Sequence, residues 1–193
     1  HFTLGLSMTG RILWDGYHSV ESGWNTWERL NGEYRTLVDT VLDDPDFGYN
    51  VFIGFGDLWM EHEYGEPWPP CILYSDLELD GDYDIRQLGK ACGRLTLYVR
   101  QDEVSVEEAA QILLDTRRAL DEANVPFYCI DFVLEHPLTE DGRLPEGDVQ
   151  LRYFACEDIR EEGLVERVEA ADAEAKAYYA ALDEEKAAGG NLQ

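Results

Sequence analysis

LTLYVRQDEVSVEEAAQILLDTRRALDEANVPFYCIDFVL, residues 95–134, decides the fold. Leu95, Leu97 and Val99 alternate with Thr96 and Tyr98, which is the period of a strand. From Val106 to about Ala123 the period changes, and Val106, Ala110, Leu113 and Leu120 share one helical face. Ser105 stands as N-cap with Glu108 three residues on, a capping box, and Glu107 and Glu108 suit the positive end of the helix dipole. Asn124 fits a left-handed C-terminal position, and Pro126 prevents the helix from continuing. Phe127 to Leu134 is apolar on both faces, as in a central strand covered on both sides. Strand, helix and strand in this order form a crossover that places two parallel strands in one sheet under a helix.

Working outward toward the N-terminus, Phe2, Leu4, Leu6 and Met8 alternate with polar or small residues, and Ile12 and Trp14 continue the pattern past Gly10. One strand with a bend at Gly10 is expected. A first helix spans about Asn25 to Leu42, opened by a capping box of Asn25 and Glu28, with Trp27, Leu30, Tyr34, Leu37 and Val41 on its buried face. Asp43-Asp44-Pro45 stops it. Asn50 to Phe55 is a short strand, and Cys71 to Leu79 another. Residues 80–93 connect, with at most a helical turn between Ile85 and Lys90.

Toward the C-terminus, Thr139-Glu140-Asp141-Gly142 marks a turn, and Val149, Leu151 and Tyr153 a last strand antiparallel to its predecessor. A final helix covers about Arg160 to Lys186, with a seam of Leu164, Val168, Ala171, Ala175, Tyr178 and Leu182. The seam is expected to pack on the chain's own sheet and leave a monomer, because two faces carrying Glu162, Glu166, Glu169 and Glu184 would repel across a dimer. The whole reads as one α+β domain over residues 1–188 with a frayed tail at 189–193. The element order is β-α-β-β-β-α-β-β-α, a mixed sheet of about six strands with helices mainly on one face. Residues 1–80 and 94–158 form a pseudo-repeat by element order, followed by the helix at 160–186, and the nearest superfold is a distant ferredoxin-like one.

The charge limits the function classes. Forty-one acidic residues against 15 Lys and Arg leave a net charge of −26, which opposes direct binding to nucleic acid or an anionic membrane. A basic protein partner, or solubility alone, fits it. No apolar run reaches the about 18 residues of a transmembrane helix. Cys71, Cys92, Cys129 and Cys156 contain no C-x-x-C pair, so reduced thiols in a cytoplasmic protein are expected. The chain opens on His1 rather than Met, which fits a removed leader, a tag remnant or a domain boundary alike.

No stretch forms a diagnostic catalytic motif, and no cofactor is expected. Asp76-Leu77-Glu78-Leu79-Asp80-Gly81 nearly matches a calcium loop, with Asp76, Glu78 and Asp80 at the ligand positions. Gln87 stands where the bidentate Glu is needed, and the flanks are not helices, so a strand and turn is the expected reading. Asp131 is the most unusual residue, a carboxylate inside a two-sided apolar strand. It either pairs with Arg94 or Arg152 or acts as a catalytic group. Trp59, His62, Tyr64 and Trp68 lie in a loop rich in acids and prolines, and exposed aromatics in rigid loops serve as contact anchors. The first reading is therefore a non-enzymatic acidic binding protein, of the immunity, inhibitor or charge-mimic type, that engages a basic protein. The alternative is a small hydrolase using strand-end carboxylates such as Asp131 and Asp76 with a divalent cation.

Overall fold

The computed structural model describes residues 4–15, 23–59 and 77–189. The crossover stands at its centre. Strand β4 (Gly93–Arg100), a helix at Val106–Glu122 and strand β5 (Cys129–Glu135) follow in order, and β4 and β5 are parallel neighbours. Strand β3 (Val51–Leu58) flanks β4 and strand β6 (Asp148–Ala155) flanks β5, both antiparallel, giving a four-stranded mixed sheet in the order β3-β4-β5-β6. Among the described residues four α-helices accompany it: α1 (Trp24–Leu42), α2 (Ile85–Cys92), α3 (Val106–Glu122) and α4 (Leu164–Gly189).

The architecture is α+β, and among the described residues the main sheet has four strands rather than the about six expected. Residues 4–15 form two strands, β1 (Leu4–Leu6) and β2 (Ile12–Asp15), that pair with each other. Gly10 takes a left-handed φ of 78°, and the Ser7 hydroxyl and carbonyl accept hydrogen bonds from Arg11 and Gly10 N–H groups, so the chain reverses instead of bending. Of the first half, only β3 joins the main sheet among the described residues, so no repeat of the two halves is seen among them. A ferredoxin-like split crossover needs a strand between its parallel pair, whereas β4 and β5 are hydrogen-bonded to each other. Leu77–Leu79 belongs to a bend and turn rather than a strand. Most of the strand expected there, Cys71 to Asp76, lies outside the described residues.

Local signals explain the helix ends. The Ser105 hydroxyl accepts from Glu108 N–H at 3.1 Å, and Asn124 takes a φ of 55° after α3, both as its sequence requires. The cap expected at Asn25 is instead Gly23, at φ 79° with no side-chain cap bond. Asp84 caps α2 by accepting from the Arg86 and Gln87 N–H groups, which extends the expected single turn to eight residues. The final helix begins at Leu164, four residues later than expected, because Gly163 takes a left-handed φ of 66° just before it.

The core lies between the sheet and its helices. Leu95, Leu97 and Val99 of β4 and Ile130, Phe132 and Leu134 of β5 are buried with Ile112, Leu113 and Leu120 of α3. Tyr34 and Val38 rather than Leu37 carry the middle of the α1 face, since the sheet meets that helix through glycines. A Cβ at Gly56 would lie 2.5 Å from Val38 Cγ2 and 3.0 Å from Tyr34 Cε1. At Gly89 it would lie 2.5 Å from Tyr34 Cε2 and 2.6 Å from the Pro126 carbonyl, and at Gly93 2.4 Å from the Tyr34 hydroxyl. Tyr34 is thus enclosed by β3, α2 and β4, and its hydroxyl donates to the Pro126 carbonyl at 3.1 Å. Burial raises its pKa above the usual tyrosine value, keeping that donor protonated.

Two helical glycines separate propensity from packing. Gly32 of α1 is exposed with nothing within 4 Å of an added Cβ, so Gly32→Ala is expected to stabilise by about 0.5–1 kcal/mol. Gly89 of α2 has the same propensity gain available, but Gly89→Ala is expected to destabilise by about 1–3 kcal/mol or more because backbone and ring both block the methyl. Urea midpoints of the two variants moving in the same direction would remove Tyr34 from this role.

Candidate functional site

The face of the sheet turned away from the core holds the unusual chemistry. Residues of β4 and β5 alternate, so Arg94, Thr96, Tyr98 and Arg100 point away from the core with Cys129, Asp131, Val133 and Glu135 beside them. Arg94 Nε donates to Asp131 Oδ2, and Arg100 Nε donates to Glu135 Oε1 at 2.6 Å. Two arginine–carboxylate rungs therefore tie the parallel pair together on this face. Asp131 and Glu135 are only 8% and 9% exposed, so each needs its partner.

The second oxygen of Asp131 shapes the neighbouring strand. Between Ile130 and Phe132 the pairing with β6 slips by one residue, a β-bulge at Arg152 and Tyr153. Tyr153 takes a left-handed φ of 51°, a strained conformation for an aromatic residue. Its N–H, turned out of the ladder, donates to Asp131 Oδ1 at 2.9 Å. Of the two partners expected for Asp131, Arg94 is the one that binds it.

The bulge also aims side chains. The Trp59 and Tyr153 rings lie 5.0 Å apart, and the Arg94 guanidinium sits 4.4 Å from the first and 5.0 Å from the second. Burial raises the pKa of Tyr98, with Asp131 adding to it. Burial also raises that of Tyr153, with Arg94 opposing and Asp131 adding. Both phenols therefore stay protonated at neutral pH. Trp59 is the one expected binding residue within the described chain. His62, Tyr64 and Trp68, like Asp76, fall outside the described residues.

The second half of α4 reaches the same face. Asp172 accepts from the Gln150 N–H at 2.8 Å, and Lys176 Nζ donates to the Asp148 carbonyl at 2.6 Å, so the helix occupies the open edge of β6. Beyond that edge, Tyr178, Tyr179 and Leu182 close a hollow of about 250 Å³ over Arg94, Asp131 and Arg152. The seam expected to pack in cis does so through Leu164, Val168 and Ala175, while Tyr178 is partly exposed over Arg152.

The model of the YfjL-like C-terminal domain matches residues 33–169. The chain belongs to that family. The matched span contains Trp59, Arg94, Asp131 and Tyr153, whereas Tyr178, Tyr179 and Leu182 lie past its end. Neither a curated protein nor a solved structure matches the chain. The family description states a place in a chain and no chemistry, so function is argued from the residues.

The remaining candidates occupy other places. Glu78 and Asp80 flank a tight turn in which Gly81 N–H donates to the Glu78 carbonyl and Asp80 takes a φ of 53°. Among the described residues, no group of three or more His, Cys, Asp or Glu side chains is arranged to hold a metal ion. Sequence reading missed the Arg100–Glu135 rung and the Arg152–Tyr178 contact. The rung was signalled by parity, since positions 94 and 100 share a face of β4 as 131 and 135 share a face of β5.

Asp131→Ala leaves a guanidinium and a bulge N–H unpartnered. A loss of about 2–4 kcal/mol is expected, below the ~3–5 of a fully buried pair because the Arg94 side chain keeps 27% exposure. Asp131→Asn keeps an acceptor for Tyr153 and should cost less. A loss under about 1 kcal/mol for the alanine variant, read from denaturation midpoints, would contradict the structural role.

The thiols supply a second check. Burial pushes Cys129 up to about 12, with Asp131 adding and Arg94 opposing. Burial pushes Cys156 up to about 11, with Arg117 opposing and Asp121 and Glu157 adding. At pH 8 the reactive thiolate is then on the order of one part in a thousand or less, so both should resist iodoacetamide in the native state. Their rates should climb with pH and reach no plateau below pH 10. Peptide mapping that finds either one alkylated at pH 8 as fast as a free thiol would contradict this.

Proposed function

We propose that the chain is a non-enzymatic binding protein whose acidic surface engages a basic protein partner, as an immunity protein, inhibitor or charge mimic does. The observation that carries the reading is the fate of its cations. Arg29, Arg35, Arg94, Arg100, Arg117, Arg118, Arg143, Lys176 and Lys186 each hold a carboxylate of the chain itself. The net charge of −26 is left to the outward surface, where Glu161, Glu162, Glu166 and Glu169 are exposed along the start of α4. Such a surface accelerates encounter with a positive partner and repels nucleic acid and anionic lipid. No helix among the described residues is long and apolar enough to cross a membrane.

The hydrolase reading draws less support. Both oxygens of Asp131 are held, one by Arg94 and one by the Tyr153 N–H, which accounts for this buried carboxylate by structural partners. The proposal further takes the chain as a cytoplasmic monomer, consistent with buried thiols and with a final helix whose apolar seam is used in cis.

The test is capture on the immobilised chain from native lysate, with washes at about 50 and 500 mM salt. A basic protein held stoichiometrically at low salt and released at high salt is expected. Changing Glu162, Glu166 and Glu169 together to Lys should weaken its capture at least tenfold. Retention that is equal at both salt concentrations, or unaffected by the charge reversal, would leave the acidity to solubility alone.

A further inference from the structure

Arg152 stands apart from the paired cations. Its guanidinium lies 3.3 Å from the centre of the Tyr178 ring, 5.1 Å from that of Tyr153 and 5.5 Å from that of Tyr179. Among the described residues no carboxylate lies within ion-pair distance of it, in a chain where acids outnumber bases nearly three to one. Arg86 and Arg167 also hold no carboxylate but donate to backbone carbonyls, whereas Arg152 is set among tyrosine rings, surroundings that call for an explanation.

The surroundings supply one. Arg94 and Asp131 neutralise each other at the floor of the hollow, so Arg152 is its one uncompensated charge among the described lining residues. The hollow is thus a locally positive place in a strongly negative protein. Its walls are tyrosine rings with Leu182 and Val133, so flat ring faces alternate with polar groups. A guanidinium offers two parallel N–H donors that match a carboxylate, and flat ring faces match a planar body. The volume of about 250 Å³ is below that of drug-sized sites, which sets the size of the guest.

We propose that the hollow between the sheet and the second half of α4 binds a small planar carboxylate, with Arg152 pairing the anion and the rings of Tyr153, Tyr178 and Tyr179 flanking its body. The bulge at Tyr153 acquires a purpose on this reading. Slipping the register by one residue sends Arg152 and Tyr153 both toward this face, where regular alternation would place only one of them there. Asp131 is then a positioning residue, which holds the bulge and occupies Arg94 so that Arg152 alone meets the ligand. The site is independent of any basic partner, and the test uses none.

The probe is benzoate, with benzamide as its neutral counterpart of the same shape. Calorimetry and amide chemical shifts are measured on the full chain at about 150 mM salt, a strength that screens the overall charge. One site is expected, with a Kd of about 0.1–1 mM, shifts centred on residues 150–153 and 178–182, and benzamide at least tenfold weaker. Arg152→Met keeps the aliphatic stem on the Tyr178 ring and should abolish benzoate binding. The same change at the exposed Arg143 should not. If circular dichroism shows that Arg152→Met does not fold, Arg152→Lys decides, because it keeps the charge and loses the fork. Several-fold weakening is then expected. The proposal is overturned by no binding at 10 mM benzoate, by benzamide binding as well as benzoate, or by binding that survives loss of the Arg152 fork unchanged.

Discussion

Tyr34 is the side chain on which the packing of β3, α2 and β4 turns. Its ring leaves no room for a Cβ at Gly56 of β3, Gly89 of α2 or Gly93 at the start of β4, and its hydroxyl bonds the carbonyl of Pro126 just ahead of β5. Three stretches distant in sequence, around Gly56, Gly89 to Gly93 and Pro126, therefore converge on one phenol. The constraint is steric first, because three glycines let backbone come within contact of the ring where any larger residue would hold it off. It is polar second, because a buried hydroxyl without an acceptor would cost stability. With α1 seated this closely on β3 and α2 on β4, the core occupies one face of the sheet, and the other face, which among the described helices only the second half of α4 reaches, is left for polar chemistry.

That second face was only half legible in the sequence. The crossover from Leu95 to Leu134 was readable because helical period, caps and two-sided apolar strand agreed over forty residues. The hairpin of β1 and β2 was not, since residues on either side of Gly10 keep the same alternation whether the chain bends or reverses. Asp131 stood out because a carboxylate in an apolar strand has to be explained, and Arg94 was one of the two partners that strand neighbours could offer. The choice between Arg94 and Arg152 depended on a register slip in β6, which the sequence around Tyr153 does not mark: no glycine stands at its left-handed position. A non-glycine residue there is affordable only because Asp131 accepts the displaced N–H.

Charge organises the outer faces as sterics organises the inner one. Lysines and arginines are few, and most bind a carboxylate nearby: Lys176 spans Asp172 and Asp148 at the edge of β6, and Arg35 holds Asp57 opposite Arg94. The edge of β6 is blunted by the same device, an Asp172 carboxylate on the Gln150 N–H, so that another strand cannot add there without lifting α4. One helix thus serves two ends: Leu164 and Val168 complete the core at its start, and beyond the edge its tyrosines roof the hollow.

A strained bulge, a carboxylate with both oxygens committed, and an arginine stacked on aromatics could each occur alone for structural reasons. Their order in space is what carries weight. Asp131 fixes Tyr153, the bulge fixes Arg152, and α4 brings Tyr178 over Arg152 only because Asp172 and Lys176 grip the strand edge two turns and half a turn earlier. A structural ion pair would have needed one carboxylate and no strained residue. Here Tyr153 keeps its left-handed φ and Arg152 faces rings instead of acids, surroundings that suit a flat anion on the proposed reading.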